Sequence, residues 1–257
     1  MNDAELKPVL EMRGVTKRFG GITACKDITF NVARGQIMGL IGPNGAGKTT
    51  LVNVLTGFNA LSTGRVLLDT SVLHGMTADA FRRQGVARTF QGGRLFRNLS
   101  VQDNLEVTAV GLGMSRRAAM AEAQRVLQWM DLAHLADRLA GVLPYTDERR
   151  VGIARAIIGR PAFLLLDEPA AGMSEHEAAD LRAIIARIAQ EIGCGILLIE
   201  HNVRLVLSIC SHIVVLDTGE VIENGDPERI RQSERVRHAY MGTAAETVAD
   251  PLAEEDA

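Results

Sequence analysis

The sequence predicts an α/β fold built on a parallel sheet, with an antiparallel β layer at its N-terminal end and a helical subdomain inserted further on. Three observations carry this. The short apolar runs Phe163-Leu164-Leu165-Leu166 and Gly195-Ile196-Leu197-Leu198-Ile199 alternate with helical patterns at 175–191 and 202–209, as strands buried on both faces do. Residues 9–30 instead alternate apolar with polar side chains, in runs broken at Phe19-Gly20-Gly21 and followed by Ala33-Arg34-Gly35, which suits antiparallel strands and turns. Between Ala78 and Trp129 the pattern turns helical, with a break at Gly111-Leu112-Gly113 and an Ala-, Glu-, Gln-, Arg- and Leu-rich stretch at 116–131.

Taken in order, the β layer leads into a buried strand at 36–41, the segment Gly42-Pro43-Asn44-Gly45-Ala46-Gly47-Lys48-Thr49, and the helix-like Thr50-Leu51-Val52-Asn53-Val54-Leu55. Strand, Gly-rich turn and helix make this a phosphate-binding P-loop, and the core a P-loop NTPase core. Glycines at 42, 45 and 47 clear side chains so that backbone N–H groups can wrap a triphosphate at the positive end of the helix. Lys48 reaches β- and γ-phosphates, and Thr49 offers Mg2+ a hydroxyl, with Thr50 beside it. The helical subdomain occupies about 92–160. Beyond it come the two apolar strands, then Ile213-Val214-Val215-Leu216 and Glu220-Val221-Ile222 flanking Asp217-Thr218-Gly219 as a hairpin, and helix from Pro227. Residues 8–242 therefore read as one nucleotide-binding domain. Residues 243–257, rich in Ala, Glu and Asp, read as a disordered tail.

Composition removes several classes of function. With 28 Lys and Arg against 31 Asp and Glu, the net charge of −3 provides no basic field for nucleic acid. Cys25, Cys194 and Cys210 are far apart, without the close pairs of a metal site or disulfide framework, so reduced thiols in a cytoplasm are expected. The first eleven residues are too polar for a secretory signal, and no apolar run approaches a membrane span; any membrane role must come through a partner.

The chemistry is carried by Leu164-Leu165-Leu166-Asp167-Glu168-Pro169. A buried-type strand ending in two acids brings both carboxylates to the sheet edge where the P-loop opens, a Walker B pattern. Asp167 is expected to hold Mg2+ through its water shell, and Glu168 to accept a proton from the water attacking the γ-phosphorus.

At this point the chain resembles the ATP-binding subunits of ABC transporters over about residues 9–241. The resemblance implies that Phe19 stacks on adenine, its other reading being a core residue of the β layer. It implies that Gln91, in Arg88-Thr89-Phe90-Gln91, is the Q-loop glutamine touching Mg2+ or its water and sensing the membrane partner. It likewise implies that His201, after Ile196-Leu197-Leu198-Ile199-Glu200, is the switch histidine at the γ-phosphate. Residues 143–156 resemble the family signature and its helix, in a degenerate copy. The usual Leu-Ser-Gly-Gly-Gln is matched outright only by Leu143, with Pro144 in place of serine and β-branched Thr146 in place of glycine. In the family this segment meets the γ-phosphate held by the other subunit, so Leu143 and Thr146 are expected to serve a partner's ATP, with Thr146 hindering close approach. The D-loop also departs, with Ala171-Gly172-Met173-Ser174 where Ser-Ala-Leu-Asp is usual.

Within the family, Ala87-Arg88-Thr89-Phe90-Gln91 with Arg94-Leu95-Phe96, Asp167-Glu168-Pro169-Ala170-Ala171-Gly172-Met173 and Leu198-Ile199-Glu200-His201-Asn202 look like the branched-chain (hydrophobic) amino acid importers. That likeness implies a second ATPase subunit in a homo- or heterodimer, two transmembrane permease subunits and, indirectly, a periplasmic or extracellular solute-binding protein, with this chain peripheral at the cytoplasmic face of a bacterial inner membrane. Two alternatives stay open. One is a weakly hydrolytic regulatory subunit of an asymmetric dimer; the other is the ATPase of a related urea or amide importer or polysaccharide exporter. A soluble ABC ATPase of translation or DNA repair would need two cassettes or a long coiled coil, and neither is present.

Overall fold

Alternation in the first thirty residues is realised as two long antiparallel strands, β1 (Val9–Phe19) and β2 (Ile22–Ala33), joined at Gly20-Gly21. Their buried residues face one another: Leu10 pairs with Val32, Met12 with Phe30 and Val15 with Ile28. Register shifts in β1 begin between Met12 and Val15, where Gly14 adopts φ +58°; such bulges bend a strand and increase its twist. β4 (Thr63–Leu68) adds to the other side of β1, Met12 opposite Val66, and the short β5 (Ser71–Val72) completes a sheet of order β2-β1-β4-β5. The structure, a computed structural model, describes residues 9–90 and 93–241.

The second sheet has the order β10-β9-β3-β8-β7-β6, formed by β3 (Ile37–Ile41), β6 (Val86–Arg88), β7 (Phe163–Asp167), β8 (Gly195–Ile199), β9 (His212–Asp217) and β10 (Glu220–Gly225). Five strands are parallel and β10 is an antiparallel edge, the second arm of the hairpin expected at 213–222. The apolar runs are continuous because both faces are covered. On β7, Leu164 and Leu166 belong to a core shared with the helices, whereas Phe163 and Leu165 belong to a core shared with the β layer.

The stretch from Ala78 is less uniformly helical than its pattern. It contains α2 (Ala78–Arg83), strand β6, α3 (Val101–Gly111) and α4 (Arg116–Trp129). α3 starts at a capping box in which Ser100 and Asp103 satisfy each other's backbone N–H groups, and Ser115 caps α4. Leu105 and Ala109 of α3 and Ala119, Ala123 and Val126 of α4 share the larger core with α5 (Tyr145–Ile157), so these helices are rooted on one face of the main sheet. Buried Asn104 ties the preceding loop to α3: its side chain accepts from the Phe96 N–H at 2.8 Å and donates to the Phe96 and Ser100 carbonyls.

Topology positions the site. β8 lies between β3 and β7, and Ile199 is level with both Leu40 and Asp167, so the three strands end in line. Residues just beyond those ends therefore meet at the carboxyl edge of the sheet, where open α/β sheets bind ligands.

Candidate functional site

The turn after β3 is built on backbone that side chains would block. Gly42 has φ +152°, and a Cβ there would lie 2.1 Å from the Leu216 carbonyl; at Gly47, with φ +99°, it would lie 2.4 Å from that of Ala24. Gly47 turns the chain directly into α1 (Lys48–Leu55), which begins two residues ahead of the helix-like segment. Lys48 is only 6% exposed, and its ammonium donates to the Gly42 carbonyl at 2.6 Å and the Pro43 carbonyl at 3.0 Å. Burial lowers its pKa, opposed by the negative charges of Glu168 and Asp167. Such a cation, held by its own loop and desolvated, is poised for a polyanion.

A cavity of about 450 Å³ opens above this loop. Its floor is Asn44, Gly45, Ala46, Gly47, Lys48, Thr49 and Thr50; Glu168 and His201 line it, with Ile22, Thr23 and Ala24 of the β layer and Thr218 and Gly219 of the β9–β10 turn. The sequence-predicted P-loop, acid and histidine are thus in one place. Gly42 and Pro43 stand behind the loop as acceptors for Lys48.

Glu168 sits one residue past β7 with φ +49°, a left-handed conformation uncommon for a non-glycine residue. Three contacts among the described residues hold it there. Its N–H donates to the Ile199 carbonyl at 2.9 Å, its carbonyl accepts from buried Arg149 of α5, and Oε1 lies 2.5 Å from Nε2 of His201. The conformation turns the carboxylate out of the strand and into the cavity. His201 itself follows buried Glu200, which accepts from the Ala170 N–H at 2.7 Å and the His201 N–H at 3.2 Å. Burial pushes the Glu200 carboxyl up, against those amide bonds. Asp167 lies beneath, 9% exposed, with Oδ2 accepting from Arg88 at 2.7 Å and its N–H donating to the Thr89 hydroxyl at 3.2 Å.

Phe19 is not in the core: it is 47% exposed, with the Lys17 ammonium 4.6 Å from its ring centroid. It is not among the cavity-lining residues but pairs across the hairpin with Ile22, which is. Gln91 lies outside the described residues. Leu143 and Thr146 stand apart from the cavity: half-buried Leu143 packs on the helical core, and Thr146 Oγ1 donates to Glu177 Oε1 at 2.5 Å. Glu177 lies in the first turn of α6 (Glu175–Arg187) and forms a capping box with the N-cap Ser174; the Thr146 hydroxyl together with the Ser174 amide and hydroxyl pulls its pKa down to about 2. Sequence reasoning did not identify Arg149 or the wall at 22–24. No local motif marks them, because both act through segments distant in sequence.

The site also suits Mg2+. Among the described residues no three His, Cys, Asp or Glu cluster to form an all-protein metal cage, and Mg2+ bound with a nucleotide does not need one. It keeps several waters and uses one or two protein oxygens plus phosphates, a demand that one threonine hydroxyl and one carboxylate match.

A cavity of this construction defines a nucleotide fold but not a family. The model of the family described as ABC transporter matches residues 25–171, more than half of the chain. The chain belongs to the ABC transporter family. It is that family's ATP-binding cassette, an ATPase subunit. It is 42% identical over 253 residues to the high-affinity branched-chain amino acid transport ATP-binding protein BraF of Pseudomonas aeruginosa, covering 93% of this chain and 99% of BraF. It is 40% identical, with the same coverage, to the high-affinity branched-chain amino acid transport ATP-binding protein LivG of Escherichia coli. Among solved structures, the ADP conformation of the ABC transporter cassette MJ1267 superposes with a TM-score of 0.83 at 29% identity, over 91% of this chain and 99% of that one. The family's cassettes work with membrane permeases and as dimers; among the described residues of this one, no helix is long and apolar enough to cross a membrane.

Proposed function

We propose that this cassette powers uptake of branched-chain or other hydrophobic amino acids, as one of two ATPase subunits beneath two permease subunits at the cytoplasmic face of the inner membrane, supplied by a solute-binding protein. The 42% identity to BraF along 93% of the chain carries this reading. The exposed apolar side chains Val107, Val110 and Met120 of α3 and α4 suit contact with a membrane subunit. The test is genetic. Expressed with its neighbouring permease genes in a strain lacking branched-chain uptake, the chain should restore leucine import; restoration of urea or amide uptake instead would transfer it to a related importer.

In this reading Lys48 and the N–H groups of residues 44–50 take the triphosphate, and Thr49, Asp167 and Gln91 would hold Mg2+, which would neutralise phosphate charge. Glu168 takes the proton of the attacking water. His201, bonded to that carboxylate, orients it and faces the γ-phosphate. The intact pair of Glu168 and His201 favours a hydrolysing subunit over a regulatory one.

Phe19 stacks on adenine in the same reading. Phe19→Ala should weaken ATP binding by about 0.5–1.5 kcal/mol while leaving the nucleotide-free melting temperature unchanged, since the ring is exposed. Calorimetric titration and thermal melting together check it: a lower melting temperature with unchanged affinity rejects stacking.

Leu143 and Thr146 serve the partner's nucleotide. Thr146→Gly removes both the obstructing methyl and the hydrogen bond to Glu177, and so mixes a gain at the dimer interface with the loss of an α5–α6 hydrogen bond worth about 0.5–1.5 kcal/mol. Thr146→Ser separates them. It keeps the hydroxyl and drops the methyl, and should raise the ATPase rate of the assembled complex without lowering the melting temperature; an unchanged or lower rate would show that threonine is accommodated.

A further inference from the structure

Arg88 closes β6, and its guanidinium is where three segments of the site meet. Nη2 donates to Asp167 Oδ2 at 2.7 Å, and Nη1 donates to Asn53 Oδ1 at 2.6 Å on α1, the helix that carries Lys48 and Thr49. The same cation lies 4.8 Å from the ring centroid of Phe90 and 5.6 Å from that of Phe58, two rings packed edge to face. The side chains of Arg88 and Asp167 are 8% and 11% exposed, so this is a buried ion pair whose disruption leaves an uncompensated charge. A planar fork bonds two acceptors in fixed directions, which an ammonium does not.

We propose that Arg88 is the positioning residue of the Mg2+ site, balancing the charge of Asp167 until nucleotide and cation arrive and fixing that carboxylate relative to α1. The proposal rests on the reading of Asp167 as the Mg2+ residue. With Oδ2 occupied by Arg88, Oδ1, which accepts no hydrogen bond among the described residues, is the oxygen left for a water of the hydrated cation. Because Asp167 has its counter-charge already, the nucleotide-free protein has no need of Mg2+.

Thermal melting of the full chain without nucleotide, in Mg2+ and in sodium at matched ionic strength, tests this. The wild type should show no Mg2+-specific shift. Arg88→Met should melt lower and regain several degrees in Mg2+, which supplies the missing positive charge. Its kcat should fall about tenfold with the KM for ATP within about twofold, because the P-loop still grasps the phosphates. Arg88→Lys keeps the charge and should melt without Mg2+ dependence, yet lose turnover, since it cannot fix Asp167 and Asn53 together. An Arg88→Met melting temperature indifferent to Mg2+, or wild-type turnover in Arg88→Lys, would overturn the proposal. Asp167→Asn keeps this distinct from the underlying reading: hydrolysis with an unchanged Mg2+ requirement in that variant would reject the assignment of Asp167, whatever Arg88 does.

Discussion

Glu168→Gln should bind ATP as tightly as the wild type and hydrolyse it about 10²–10⁴-fold more slowly, the range set by loss of a positioned general base. The substitution is close to isosteric, and the constraints that place the residue are backbone ones: the N–H bond to Ile199 and the Arg149 bond to the carbonyl persist. The basic oxygen beside His201 is lost. Binding belongs to the P-loop, so affinity and turnover separate. Single-turnover hydrolysis and nucleotide titration measure the two independently. Near-normal turnover in Glu168→Gln would remove Glu168 as the base and shift attention to His201.

Lys48→Ala should do the reverse at the first step, weakening ATP by about 1.5–3 kcal/mol through loss of a charged phosphate contact. Fold stability should change little. The Lys48 ammonium is buried at an energetic cost that shows in its lowered pKa, and cavity water can replace it as donor to the Gly42 and Pro43 carbonyls. Titration with a fluorescent nucleotide, alongside melting of the free protein, checks both halves. Affinity unchanged in Lys48→Ala would mean that backbone N–H groups alone hold the triphosphate.

The parts of this site legible in the sequence are those whose chemistry is local. A P-loop carries its strand, glycines, lysine and helix within one continuous segment, residues 37–55, and the two acids follow an apolar run whose burial on both faces is written in Leu164, Leu165 and Leu166. β4 was not legible. Thr63-Gly64-Arg65 at its start is exposed, and it becomes a strand only by pairing with β1, some fifty residues earlier. Arg88 and Arg149 were visible only as flanking letters of motifs, because their roles depend on Asn53, Asp167 and Glu168 arriving from other elements. Thr146 illustrates the same limit. Its departure from glycine was plain, but its bond to Glu177 follows from the packing of α5 against the start of α6.

The most direct measurement is ATP hydrolysis by this chain assembled with its permeases in proteoliposomes, with and without a solute-binding protein loaded with leucine. Leucine-loaded binding protein should stimulate hydrolysis several-fold over the unloaded protein, with the stimulated rate abolished by Glu168→Gln. Hydrolysis indifferent to leucine, or stimulated hydrolysis that survives Glu168→Gln, would contradict the assignment of this cassette as the engine of branched-chain amino acid import.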